Sequence, residues 1–200
     1  MPVLPGTYKV SMGLYEKGVY KKLTDPIAFK VKRLKNSTLP VADEKVLATY
    51  LKDLTNTVKR MYATVNYAED LQKKIILLKQ TALNTSGAST ELMSKIQKTE
   101  KAVNELMFKL EGVSPKASYE EIPPHILPIE IRLQDLAWTH IESTAPVSKT
   151  EKDQLNIVKE ELPAVISEIK KIATQTIPEI EKALNDVGAP WTPGRIINEK

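Results

Sequence analysis

The sequence predicts an α+β fold that is mostly α. An antiparallel helical bundle of two long and two short helices is preceded by a β-hairpin or meander. Three observations carry this expectation. Apolar and polar residues alternate through most of positions 1–35, the period of a strand with one buried face. From residue 41 the apolar spacing changes to threes and fours, and no Gly or Pro interrupts it for more than forty residues. Gly and Pro then return where helix ends are expected.

The strands come first. Tyr8, Val10, Met12 and Leu14 alternate with Thr7, Lys9, Ser11 and Gly13. "EKG" at 16–18 supplies the Gly that tight hairpins favour. "VYKKL" follows, and Asp25-Pro26 interrupts it as an edge or a bulge, because Pro cannot donate to a ladder. Ile27, Phe29 and Val31 then share one face, with Lys30 and Lys32 on the other. Such a unit is marginal alone. It reads as the end of a sandwich whose other strands lie outside these residues.

Residues 36–41 are a linker, 42–188 the bundle and 189–200 a tail. In the first helix Val46, Leu47, Tyr50, Leu51, Leu54, Val58, Met61, Tyr62 and Val65 form a stripe, resumed by Leu71, Ile75, Leu78 and Ala82. Asp43 and Glu44 suit its positive N-terminal end. A second helix spans about 90–111, with Leu92, Ile96, Val103, Leu106, Met107 and Leu110 inward and Gly112 as its stop. A Pro-rich loop at 113–128 separates it from a third helix over about 128–142. "SKTE" at 148–151 is a capping box opening the fourth helix. That helix is expected to run to Gly188, kinked at Pro163 and Pro178. The two long stripes have the length to cover each other, with the short helices closing the third side.

Composition excludes several functions. Apolar residues make up 42% and charged residues 27%, as in ordinary folded proteins, and net charge is +4. Nucleic-acid binding would want a basic stripe interleaved with aromatics. The densest basic cluster, Lys30, Lys32, Arg33 and Lys35, reads instead as a guarded strand edge. The absence of cysteine excludes disulfides, thiol catalysis and Cys-ligated metals. No apolar run is long enough to span a membrane. The opening "MPVLPGTYKV" lacks the basic start and apolar stretch of a signal peptide, so export would need a signal outside these residues.

The chemistry-bearing residues are few. His125 and His140 are the only histidines, and two unrelated histidines do not make a zinc site. His140 reads as a charge complement to a helix C-terminus. Glu120, Glu121, Glu130, Asp135 and Glu142 are acidic, but nothing in their order sets two carboxylates across a cleft. No nucleotide-binding or nucleophile motif is present. Trp138 is expected in the core beside Leu133, Leu136 and Ile141. Tyr119 and its prolines read as a strap over the bundle end. "VGAPWTPGR" at 187–195 reads as a helix stop with Trp191 folded back as a buried anchor, near the 35–40 linker. No catalytic, cofactor-binding or metal residue is assigned, and no cofactor is implied. The rival is an enzyme site at the bundle end, built from the Pro-rich loop with Glu120, Glu121 and His125. A third reading is an independent helical adaptor of a cell-envelope complex.

Two pieces together carry a family resemblance. "PGTYKVSMGLYEKGVYKKLTDPIAFKVKRL" at 5–34 resembles the last strands of the immunoglobulin-like segment that follows the propeller in bacterial sortilin-like BNR-repeat proteins. "GAPWTPG" at 188–194 is similar to the end of the helical region that follows in that family. The family is common in Bacteroidetes and often labelled glycosyl hydrolase. "KKLTDP" makes the second strand longer than the family pattern. The resemblance implies the C-terminal accessory region of a large exported protein, non-catalytic itself. Any glycosidase-like site would lie in a propeller that these residues do not include. The partner it implies is protein, either that propeller or an envelope component, with no nucleic acid and no membrane insertion.

Overall fold

The computed structural model describes residues 3–34, 43–113, 115, 117–118, 120, 126–141 and 143–195. The fold is α+β and mostly α, as the periodicity predicts. The expected linker, and Lys35, lie outside the described residues.

Strands β1 (Gly6–Val10), β2 (Gly13–Glu16), β3 (Val19–Lys22) and β4 (Ile27–Val31) form one bent hairpin ribbon. β1 pairs antiparallel with β4, and β2 with β3. Lys17 and Gly18 turn the tip with φ of 51° and 81°, the left-handed backbone a tight hairpin needs. The Tyr20 ring lies over Gly13, where a Cβ would come within 2.3 Å of it. The Asp25-Pro26 interruption is a bulge at the bend. Met12 O accepts from both Leu23 N and Thr24 N at 2.9 and 3.3 Å, and Thr24 Oγ1 accepts from Met12 N at 3.0 Å.

Helix α1 (Glu44–Leu83) is followed by α2 (Thr90–Glu111), α3 (Ile129–Thr139), α4 (Lys149–Lys171) and α5 (Ile177–Asp186). Asp43 caps α1 through the amides of Lys45 and Val46. The capping box at Ser148 forms in both directions. Gly112 and Gly188 end their helices at φ of 78° and 69°.

The single long fourth helix expected from the sequence is two helices joined by a π-helical turn at Ile172–Thr176. The Ile177 N–H reaches back five residues to Ile172 O. That wider turn comes immediately before Pro178, whose missing N–H would break an ordinary α ladder. Pro163, in contrast, lies within α4, which continues past it to Lys171.

Pairings between helices give their directions. Lys79 meets Glu100 at 2.6 Å and Gln72 meets Asn104 at 2.8 Å, so α2 runs antiparallel to α1. Tyr62 donates to Glu130 at 3.1 Å and Tyr50 touches His140, so α3 does too. Asp53 meets Lys159 at 2.6 Å and Lys74 meets Glu181 at 2.7 Å, and both numbers rise together. The long α4–α5 rod is therefore parallel to α1. The bundle is as expected, but its two long members are parallel and the short pair runs against both. The reason is the count of rods. With α2 and α3 occupying successive levels of one rod, the chain goes up, down and up again.

The seam is filled by Met61, Ile96, Val103, Leu110, Val158 and Leu184, none of which reaches solvent. Burial of each such side chain contributes about 1.5–3 kcal/mol. Buried Thr57, Thr64, Thr81 and Thr99 satisfy their hydroxyls on the carbonyl four residues back. Val46 and Tyr62, placed in the stripe by spacing, are exposed.

Candidate functional site

One buried polar cluster stands out among the described residues. It forms where the end of α3 meets the starts of α1 and α4. His140 caps α3 and is buried, with only 1% of its side chain exposed. The sequence places it there by continuing the inward row Ile129, Leu133 and Leu136. Its Nε2 lies 2.8 Å from Glu151 Oε1, off the hydrogen-bond line, and Nδ1 has no partner. The other Glu151 oxygen accepts from Ser148 N at 2.7 Å, completing the capping box. Burial opposes the charge on Glu151. The Ser148 amide and hydroxyl, followed by His140, outweigh burial and hold the carboxyl below its usual range. The Tyr50 ring packs edge-on against His140 at 5.8 Å, and its buried hydroxyl has no partner. Burial, with the Glu151 charge second, pushes the Tyr50 phenol up to about 12. The sequence reading of His140 as a charge complement at a helix end was right in place and missed its carboxylate partner. With His140 and Tyr50 buried and Glu151 13% exposed, the cluster is built as a clamp between three helices.

The acidic candidates do not converge with it. Glu120 and Asp135 are exposed. Glu130 accepts from the Tyr62 hydroxyl and from Gln134 on its own helix. Burial, then the charges of Glu130 and Glu69, raises the Glu111 carboxyl. No three His, Asp or Glu side chains among the described residues sit as metal ligands. Tyr119, Glu121, His125 and Glu142 lie outside the described residues.

Both tryptophan expectations need correction. Trp138 is 73% exposed, because it lies two residues past Leu136 and so on the opposite face of α3. Trp191 is 57% exposed, and the buried anchor of the tail is Arg195. The Arg195 guanidinium donates to Pro190 O at 3.0 Å, Ala189 O at 3.3 Å, Thr192 Oγ1 at 3.4 Å and Asn185 Oδ1 at 2.5 Å. Trp191 Nε1 donates to Arg195 O at 2.9 Å, which holds the indole against the turn with its ring outward. Lys74 reaches Gly194 O from α1 at 3.3 Å. The tail thus docks on α1 and α5. An Arg at a chain end reads as a solvated charge by composition, so its role was invisible in the sequence.

The ribbon leaves most of its apolar side chains exposed. On its apolar face Val10 pairs with Ile27 and Tyr8 with Phe29, yet only Tyr8 and Val31 are even half-buried. Met12, Leu14, Tyr15, Val19 and Tyr20 are also exposed. The alternation predicts a buried face, and no described element covers it. Residues 3–34 carry seven basic and two acidic side chains, a net +5 against +4 for the whole chain, so the remainder is −1. The basic excess of this protein is therefore a property of the ribbon. Arg33, at its base, pairs with Glu44 of α1 at 3.1 Å.

No family model, no curated protein and no solved structure matches this chain. Among the described residues, no helix is long and apolar enough to cross a membrane.

Proposed function

We propose that this chain is a non-catalytic accessory module, placed C-terminally in a large exported β-propeller protein of the sortilin-like type. The three-rod bundle is its rigid mount and the ribbon is its contact surface. The observation that carries this reading is the exposed apolar face of the ribbon. Contiguous apolar surface rimmed by charge marks interaction sites more often than it marks ordinary surface. The family resemblance of residues 5–34 and 188–194 supports the propeller context and the export.

A screen of this chain on glycosides tests the non-catalytic part. The expected result is no hydrolysis. Hydrolysis abolished by a single carboxylate substitution overturns it. The coding sequence on the N-terminal side tests the context, and propeller blades are expected there.

A further inference from the structure

The ribbon also defines the chemistry of what it binds, an inference that rests on the interaction-module reading. β4 pairs with β1 on one side, and no strand pairs with its other side among the described residues. An open edge presents unpaired N–H and C=O groups to an incoming chain. The two faces beside that edge differ. Ile27 and Phe29 are 66% and 47% exposed on one, while Lys30, followed by Lys32 in the same alternation, lies on the other.

We propose that a partner protein adds an extended strand to the open edge of β4. This strand alternates apolar side chains, which lie beside Ile27 and Phe29, with carboxylates beside Lys30 and Lys32. Strand addition takes affinity from the main chain and specificity from alternate side chains. Three features favour this occupant. The ribbon carries a net +5, which an acidic strand complements. A second copy would bring another ribbon of net +5 against the first, and this like charge opposes self-pairing. A lipid surface meets one face of a ribbon at a time, whereas along β4 the apolar Ile27 and Phe29 and the basic Lys30 occupy opposite faces. A strand joined edge-on stands beside both. The simpler account of the lysines is that they only guard the edge against self-pairing, and it expects no strand to bind.

The test uses the whole chain, with amide NMR as the readout. The probes are short synthetic peptides alternating Val and Glu, a scrambled peptide of the same composition, and a Val–Lys counterpart. The Val–Glu peptide is expected to bind and to protect amides of β4 from exchange. K30E/K32E should weaken it by about 10-fold or more and gain affinity for the Val–Lys peptide, with helical circular dichroism unchanged. Equal binding of the scrambled peptide overturns the proposal, as does protection elsewhere than β4 or dimerisation through that edge. So does binding only to anionic phospholipid vesicles or single-stranded DNA. Silence from every peptide beside a blank glycoside screen defeats this inference alone. Carboxylate-dependent hydrolysis defeats the reading beneath it.

Discussion

Bundle and ribbon obey the same binary logic with opposite outcomes. In the bundle, most residues spaced by threes and fours meet partners, and Met61, Ile96 and Leu110 are fully enclosed. In the ribbon, residues spaced by twos share a face just as regularly, yet Val10 and Ile27 are 56% and 66% exposed. Charge divides the same way, with +5 on the ribbon and −1 on the rest. Periodicity therefore announces that a face exists. Whether the chain itself covers that face depends on the elements available to pack there. For the ribbon, exposed apolar groups and concentrated positive charge together make a surface suited to a partner.

The largest effect that can break this comparison lies at the seam. Ile96→Ala or Leu133→Ala should cost about 2–5 kcal/mol, because both side chains are enclosed and the cavity cannot fully collapse. Phe29→Ala should cost under about 0.5 kcal/mol in the isolated chain. Denaturant midpoints followed by helical circular dichroism measure both. Equal losses would mean that the ribbon is packed in solution and the contrast is false.

The tail gives the next effect. Arg195→Ala should destabilise by about 1–3 kcal/mol, since it strips bonds from the Pro190 and Ala189 carbonyls and from Asn185. Trp191→Ala should cost less, because most of the indole is already wet. Thermal melts of the two variants decide the order. A larger loss for Trp191 would restore the indole as the anchor.

Local chemistry was legible in the sequence wherever neighbours in sequence decide it. The hairpin turn at Lys17-Gly18, the Ser148 capping box, the Gly112 and Gly188 stops and most of the seam fall into that class. What escaped depends on groups far apart in the chain. The parallel course of the long rods follows from how α2 and α3 share one rod, and no single stripe encodes that. The π turn before Pro178 is a repair whose location spacing does not give. His140 finds Glu151 across a loop, and Arg195 is buried by a turn that folds over it. Size alone does not place a tryptophan in the core: Trp138 sits two residues past Leu136 on the outer face of α3, and Trp191 lies on a turn whose buried anchor is Arg195.

The clamp sharpens the bundle side through pH. The folded Glu151 carboxyl titrates below its ordinary value of 4.5. Its contribution is fully present above that pH and is lost as pH falls through the lowered folded value. Tyr50 has the reverse sign. Its phenol is pushed up from 10.0 to about 12, so its contribution is present below pH 10.0 and is lost as pH rises toward 12. Glu151→Gln should flatten the acid limb of the melting profile, and Tyr50→Phe the alkaline limb. Ribbon variants such as Phe29→Ala should leave both limbs unchanged. Ultraviolet titration of the phenols should show a component ionising near pH 12 that Tyr50→Phe removes. If Tyr50→Phe leaves that alkaline component in place, Tyr50 is not enclosed with the carboxylate.

The smallest effect concerns the pair that joins the two regions. Arg33 and Glu44 meet at 3.1 Å with more than a third of each side chain in water. Such pairs are worth about 0–1 kcal/mol, and salt screens them. Glu44 also lies in the first turn of α1, where its charge favours the helix with or without Arg33. Glu44→Ala alone would therefore mix two effects. A cycle of Arg33→Ala, Glu44→Ala and the double variant separates them. The coupling should stay below about 1 kcal/mol and shrink with added salt. A larger, salt-insensitive coupling would mean that ribbon and bundle are one cooperative unit. The ribbon would then be part of the mount, and a strand added at β4 should raise the melting temperature of the bundle as well.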